Sequence, residues 1–166
     1  MRPPAVRFRV ARPSDAATMA RTAHLGIDTY RAFAPAGWEP VPPPFLVERM
    51  TETLGKRTSW ALLAEVAGEP AAHVAMMRDW TSERTAYLWQ LFVRPPWWGS
   101  GLADELHEAF IAEARERGFP EARLHTPARH ARALRFFERR GWRPVGPPGT
   151  WIAGLPVLEH RRPLRD

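Results

Sequence analysis

The order of strand-like and helix-like segments in the 166 residues predicts an α/β protein. Two observations support this fold class. Apolar stretches with strand patterns are interleaved with amphipathic stretches of helical period. In addition, a nearly continuous apolar strand ends immediately before a turn containing two glycines, and a long helical pattern follows that turn. With no repeat and no interdomain linker, we expect residues 1–166 to form a single domain.

The N-terminal segment predicts one strand followed by a helix. Val6, Phe8 and Val10 alternate with arginines, a pattern typical of a half-buried strand. Ser14 follows a proline and precedes an aspartate, so it is the expected cap of a helix whose apolar stripe extends to Ile27.

The middle of the chain predicts a second helix and then three strands. The helix covers about 45–56, after a proline-rich loop. Two strands over 60–66 and 71–77 are joined by a turn at Gly68-Glu69-Pro70. The next strand, 87–93, is apolar throughout, which favours a central position with both faces covered.

The C-terminal part predicts two helices alternating with short strands. Its expected elements are a helix over 102–117, a strand over 122–126, a helix from 131 to near Gly141, and strands over 143–145 and 155–160. The complete order is β-α-α-β-β-β-α-β-α-β-β.

Composition narrows the possible functions. The absence of cysteine excludes disulfides, thiolate metal sites and a cysteine nucleophile. The net charge of +6 raises the possibility of nucleic-acid binding, but the arginines are scattered among acidic residues, so we expect no nucleic-acid partner. No apolar run is long enough to span a membrane, and the N-terminus lacks a secretory pattern, so a cytoplasmic location is expected.

The segment from Trp98 to Ala103 indicates an anion site. Gly99 and Gly101 lie between the apolar strand and the next helix, where glycine allows backbone N–H groups to turn toward a ligand. The helix N-terminus adds unpaired donors and partial positive charge, which suits a phosphate or pyrophosphate. The alternative is an ordinary strand-to-helix turn.

Two motifs resemble those of the GCN5-related N-acetyltransferases, the GNAT family. The first motif follows Val93 and Pro95. Trp98 stands where the family has Gln or Arg, Gly101 where it has Gly, and Ala103 where it has Gly or Ala. The second motif reads His130, Ala133, Phe136-Phe137-Glu138 and Gly141-Trp142, where the family has Asn, Ala, Phe-Tyr-Glu and a Gly-aromatic pair. The resemblance covers nearly the whole chain because the element order also agrees.

This resemblance implies a mixed sheet whose fourth and fifth strands splay apart, with acetyl-CoA as co-substrate. The residues themselves suggest no metal site, so no metal is expected. The pyrophosphate would bind the amides of 98–103, and the pantetheine arm would pair with the strand edge near Leu91, whose N–H would donate to the thioester carbonyl. The expected cofactor-binding residues are Leu91, Phe92, Val93, Trp98, Gly99, Ser100, Gly101, Leu102, Ala103, His130, Ala133 and Phe137.

The implied reaction is direct attack of a primary amine on the thioester. Many relatives use a tyrosine at the position of Phe137 as general acid, so either water, another residue or no efficient donor serves here. Candidates for proton transfer are Tyr87, His73 and His125. An alternative is a sensor or interaction domain that binds acyl-CoA without efficient transfer.

The acceptor is expected to be a small-molecule or peptide amine. Acceptor contacts in the family come from the first two helices, their loop and the C-terminal hairpin. Tyr30, Phe33, Trp38, Trp80 and Trp151 would supply an aromatic lining, although packing in the core is an equally good explanation for them. The protein is expected to be a monomer or a homodimer.

Overall fold

A computed structural model describes residues 4–165. Its elements are β1 (Val6–Val10), α1 (Ala16–Asp28), α2 (Pro43–Leu54), β2 (Trp60–Val66), β3 (Glu69–Arg78), β4 (Thr85–Val93), α3 (Leu102–Glu116), β5 (Glu121–Pro127), α4 (Ala131–Glu138), β6 (Arg143–Pro144), β7 (Thr150–Ile152) and β8 (Leu155–Pro163). The predicted order is confirmed, and the short strand β7 is added in the connection between the last two predicted strands. No helix within residues 4–165 is long and apolar enough to cross a membrane.

The strands form one mixed sheet in the order β1-β2-β3-β4-β5-β8-β6, with β7 also paired to β8. The β4–β5 pair is parallel and the other pairs are antiparallel. Its register contains three pairs, from Thr85↔Glu121 to Tyr87↔Arg123. The two strands therefore separate after Tyr87, which confirms the predicted splay.

Helices cover both faces of this sheet. α3 packs on one face, where Leu106 and Phe110 join Leu88 of β4 and the fully buried Trp142 in the larger core cluster. α1 and α2 cover the other face through Met19 and Met50 in a smaller cluster. The apolar stripes that predicted these helices supply most of the contacts.

A bulge in β4 changes which side chains face the core. Ala75 pairs with Gln90 but Met76 pairs with Leu88, so Trp89 is the extra residue. Leu91 packs against the α3 side together with Leu88, although a regular strand would place them on opposite faces. Trp89 packs against the α1–α2 cluster instead.

The β2–β3 turn lies one to two residues earlier than predicted. Ala67 and Gly68 form it, with φ of 52° and 82°, and Glu69 already belongs to β3. Two positive φ angles are what a two-residue hairpin turn with the twist of the strands requires. Pro70 lies within β3 beside a bulge at Ala71, a position that tolerates the missing N–H.

Two N-terminal predictions were also wrong. The apolar side chains of β1 are exposed, Val10 to 57%, because β1 is an edge strand and α3 does not extend over it. Ser14 does not cap α1. A 3-10 turn over 13–15 precedes the helix, and the Asp15 carboxylate accepts a hydrogen bond from Arg12 N–H at 2.8 Å.

Candidate active site

The separation of β4 from β5 opens a cavity of about 270 Å³ in the sheet. Residues from α1, β4, the β4–α3 loop, β5 and α4 line it. They are Gly26, Thr29, Tyr30, Trp89, Gln90, Leu91, Phe92, Val93, Trp98, Ala103, His125, Thr126, Pro127, His130, Arg132, Ala133, Phe136 and Phe137. Within residues 4–165, no strand pairs with the β5-facing edge of β4 after Tyr87. The cavity thus has backbone groups along one wall.

The structure brings eight of the twelve predicted cofactor-binding residues to this cavity. These are Leu91, Phe92, Val93, Trp98, Ala103, His130, Ala133 and Phe137. The other four lie between Trp98 and Ala103: Gly99 to Gly101 form the end of the loop, and Leu102 is the first residue of α3, with its side chain buried in the core. Gly99, Gly101 and Leu102 therefore offer only backbone groups, whereas Ser100 also offers its hydroxyl.

The amides of this loop divide into two groups. Trp98 N–H donates to Pro95 O at 3.1 Å, Ser100 N–H to Trp97 O at 3.2 Å, and Leu102 N–H to the Ser100 hydroxyl at 3.4 Å. The N–H groups of Gly99, Gly101 and Ala103 have no acceptor among residues 4–165. Three alternate amides, rather than all six, are therefore available to an anion at the N-terminus of α3.

Glycine is required at two of these positions. Gly99 has φ of 77°, and Gly101, the N-cap of α3, has φ of 91° and ψ of −2°. A Cβ at either position would meet no atom within 4 Å. The requirement therefore arises from the backbone conformation and not from crowding.

Trp98 occupies the position where the family motif has a polar side chain. Its indole N–H donates to Val93 O at 2.7 Å, which ties the loop to the end of β4. The Arg132 guanidinium of α4 stacks on the indole, 5.0 Å from the ring centroid. Trp98 and Arg132 thus connect the two sides of the cavity, and the Val93 carbonyl already has a hydrogen bond.

The α4 side of the cavity is aromatic. His130 caps α4, with Nδ1 accepting a long 3.5 Å hydrogen bond from Ala133 N–H, and its ring packs against Tyr30. Burial lowers the pKa of His130, with a smaller effect of Arg132. Phe137 is buried against Phe136 and Trp142. The phenylalanine thus provides a wall and no proton.

Two of the predicted proton-transfer residues form a pair where the strands separate. Tyr87 Oη lies 2.7 Å from His125 Nδ1, and the His125 ring lines the cavity. Burial, and then the charge of Arg123, lowers the pKa of His125, so the imidazole is neutral at neutral pH. Burial raises the pKa of Tyr87, which keeps the phenol protonated.

The third candidate, His73, lies outside the cavity lining. Its ring is buried in β3, and Nε2 lies 2.8 Å from the Gln90 side-chain oxygen, so Gln90 stands between His73 and the cavity. Burial lowers the pKa of His73 to about 4. Its position indicates a buried hydrogen-bond partner, and the catalytic role stays a prediction.

Acid is expected to destabilise the protein through His73. The folded-state pKa of His73 lies below the unfolded value near 6.5. The contribution of His73 to the free energy of unfolding is therefore fully present above pH 6.5 and is lost as the pH drops toward 4. The loss from this group approaches about 3 kcal/mol. Denaturant unfolding at pH 7.5 and pH 4.5 measures the difference. The double variant His73→Leu, Gln90→Leu should lose part of this dependence, and equal stability at both pH values in the unmodified protein would contradict the expectation.

The predicted aromatic acceptor residues separate into three places. Tyr30 and Phe33 pack beside His130 at the cavity. The Trp38 indole N–H donates to Ala153 O at 2.8 Å, which links the α1–α2 loop to the C-terminal hairpin. The other two are solvent-exposed: Trp80 lies over the Tyr87–His125 pair, and Trp151 is on β7.

Sequence reasoning missed an ionic cluster next to this pair. Arg123 of β5 is bonded to both Asp79 and Glu159, which lie on the β3–β4 connection and β8. The alternation of β5 places Arg123 and His125 on one face, a signal that was present, but the two carboxylates come from distant segments. Among residues 4–165, no group of three His, Asp or Glu side chains has the arrangement of a metal site.

Solved structures of similar fold come from several organisms. An acetyltransferase from Thermus thermophilus is 23% identical, with a TM-score of 0.76 and coverage of 98% of this chain and 99% of that one. PaiA N-acetyltransferase from Thermoplasma acidophilum, in complex with coenzyme A, is 12% identical, with a TM-score of 0.75 and coverage of 96% and 99%. YncA from Salmonella typhimurium, with acetyl-CoA, is 17% identical, with a TM-score of 0.74 and coverage of 98% and 95%.

These likenesses show the fold, and the ligands of two of the structures agree with the predicted co-substrate. No functionally curated protein matches the sequence significantly. The model of the acetyltransferase (GNAT) family matches residues 27–142, which is more than half of the chain and contains every cavity-lining residue except Gly26. The protein therefore belongs to the GNAT family of acetyltransferases.

Proposed function

We propose that this protein transfers an acetyl group from acetyl-CoA to a primary amine of a small-molecule or peptide acceptor. The observation on which the proposal depends is the combination within one cavity of an unpaired strand edge, free loop amides beside it and a neutral imidazole. The family membership supports the acyl-transfer class, and the cavity supports an amine as acceptor because it provides a base.

The chain's residues fit the co-substrate at two places. The free N–H groups of Gly99, Gly101 and Ala103 would bind the pyrophosphate. The unpaired edge of β4 near Leu91 would bind the amide-rich pantetheine arm as an added strand, while the Val93 carbonyl stays with Trp98. Acetyl-CoA supplies the thioester that the acceptor amine attacks directly.

His125 would remove the proton from the acceptor amine. In the tautomer that serves as base, Nδ1–H donates to Tyr87 Oη and Nε2 carries the free lone pair. Burial and the neighbouring Arg123 charge keep the imidazole unprotonated at neutral pH, which is the form a base requires.

A second candidate function is acyl-CoA binding without efficient transfer. Phe137 favours it, because this ring lines the cavity where many relatives have a proton-donating tyrosine. The chain has two tyrosines, and of these Tyr30 lines the cavity. The Phe137→Tyr variant separates the alternatives: a large gain in turnover indicates that the missing acid limits the protein.

Titration calorimetry with CoA and a thiol-release assay over a panel of amines test the proposal together. We expect micromolar CoA binding and acetyl-CoA-dependent thiol release with at least one amine, confirmed by mass spectrometry of the product. Absence of CoA binding would refute both candidate functions. Binding without release on any amine would favour the sensor.

A further inference from the structure

A buried ionic cluster adjoins the Tyr87–His125 pair. Arg123 Nε lies 2.7 Å from Asp79 Oδ2, Nη2 donates to Asp79 Oδ1 at 3.1 Å, and Nη1 donates to Glu159 Oε1 at 2.6 Å. The side chains of Arg123 and Asp79 are 7% and 1% exposed. Asp79 Oδ1 also accepts hydrogen bonds from the Thr81 amide and hydroxyl, both at 2.8 Å. Both carboxylates therefore hold the guanidinium in one orientation.

The cluster is aligned with the proposed base. Tyr87 pairs with Arg123 across β4 and β5, and His125 pairs with Glu159 across β5 and β8, so these side chains share one face of the sheet. The guanidinium carbon lies 5.5 Å from the Tyr87 ring centroid and 4.7 Å from that of Trp80. Trp80 in turn stacks on His125, with ring planes 20° apart.

Packing alone gives little reason for such a cluster. Burying charged groups has a large desolvation cost, and apolar side chains of similar volume stabilise a core equally well or better. The guanidinium contacts the ring whose hydroxyl meets His125 Nδ1, and its charge lies two residues along β5 from the imidazole. The arrangement therefore acts on the orientation and the charge of His125.

We propose that Arg123, held by Asp79 and Glu159, is a positioning residue for the Tyr87–His125 pair. The fixed guanidinium orients the tyrosine ring, and the tyrosine hydroxyl then holds the imidazole at Nδ1, which leaves Nε2 as the nitrogen that can act in the cavity. This inference rests on the proposed function, because it assigns a role relative to the base of that reaction.

The charges around His125 give the proposal a definite sign. Arg123 lowers its pKa, whereas Glu159 and Asp79 raise it. Arg161 of β8 is the second cation on this face, at 3.6 Å from Glu159, while Tyr87 and the cavity residue His130 are the titratable neighbours. Removing Arg123 and removing Glu159 should thus move the titration of His125 in opposite directions, which a purely structural role does not predict.

The test is proton NMR titration of the His125 imidazole in the Arg123→Met and Glu159→Gln variants. His125→Gln identifies the resonance among those of six histidines. We expect the midpoint to rise by roughly half a pH unit or more in Arg123→Met and to fall in Glu159→Gln. The acid limb of kcat/KM against pH should move with it. Arg123→Lys retains the charge but loses the planar guanidinium that contacts both Asp79 and Glu159. It should keep the titration midpoint of His125 and lower kcat about tenfold.

Arg9→Met is the matched control. Arg9 is also bonded to two carboxylates, Asp15 and Glu65, but it lies on the edge strand β1, which three strands separate from β5. Its variant should leave the His125 midpoint unchanged. Unchanged midpoints in Arg123→Met and Glu159→Gln would overturn the proposal. If Arg123→Met does not fold, the direction of the shift in Glu159→Gln decides.

The titration also separates this inference from the proposed function. The imidazole midpoint is read without acetyl-CoA and without turnover. An inactive protein with the expected opposite shifts would refute the acetyltransferase proposal and retain the electrostatic role of Arg123. An active protein without these shifts would retain the acetyltransferase proposal and refute the role of Arg123.

Discussion

Replacement of Gly101 by valine is expected to weaken CoA binding by roughly 10- to 100-fold while the domain remains folded. The native φ of 91° costs an L-residue on the order of 1–2 kcal/mol, and a β-branched side chain tolerates it least. No atom lies within 4 Å of the added Cβ, so the strain comes from the φ angle and not from a clash. Rotation of the backbone to a negative φ relieves it. That rotation turns the free N–H groups of Gly101 and Ala103 away from a shared anion. Calorimetry with CoA measures the loss.

Gly118→Val provides the control at the other end of α3. Gly118 has φ of 83°, its Cβ would also meet nothing within 4 Å, and its N–H donates to Arg115 O at 2.9 Å. Both variants should lose a similar free energy of unfolding, about 1–2 kcal/mol. Only Gly101→Val should lose CoA affinity. Equal CoA binding by the two variants would argue against the role of the loop amides.

Replacement of His125 by glutamine is expected to lower kcat by about 100-fold or more, with the KM for acetyl-CoA nearly unchanged. Glutamine fills a similar space beside Tyr87 but cannot accept the amine proton. Because the pKa of His125 is lowered, activity of the unmodified protein should fall only as the pH drops below about 6.5, through the folded-state pKa. The variant should lack this acid limb in its kcat/KM profile.

Two further variants make the His125 result specific. Tyr87→Phe removes the hydroxyl that orients the imidazole and should cost about tenfold in kcat, because the base itself remains. His24→Gln changes a histidine of α1 that does not line the cavity and should leave kcat unchanged. An unchanged acid limb in His125→Gln would assign the proton transfer to another group.

The element order was predictable because each element has a clear local period. The apolar spacing of α3 and the uninterrupted run of β4 fix their types, and both helices and strands lie within a few residues of their predicted bounds. The predictions failed where the pattern depends on neighbours. The alternation in β1 predicts that one face of the strand is apolar, but it does not predict whether a helix covers that face. β1 lies at the edge of the sheet, and its apolar side chains are exposed. The Gly68-Glu69-Pro70 sequence favoured a turn that the structure places at Ala67 and Gly68.

The candidate site was predictable where it is local in sequence. The residues of the β4–α3 loop are consecutive, so their position at a helix start followed from the pattern itself. His73 and His125 both occupy strands, and no local pattern distinguishes the residue behind Gln90 from the residue at the cavity. The Arg123 cluster joins residues that are 44 and 36 positions apart, and only the sheet register reveals it.

The extra residue in β4 has a consequence for how this domain could change its substrate. Leu88, before Trp89, packs in the interior beneath α3, whereas Gln90 and Phe92, after it, face α1. Phe92 lies so close to Gly26 that a Cβ added at Gly26 would be 2.3 Å from the Phe92 ring. Because of this one inserted residue, the side chains that pack under α3 and those that face α1 can vary independently. Substitutions at Phe92 would therefore change the lining of the cavity while Leu88, Leu91 and the hydrophobic interior stay in their places.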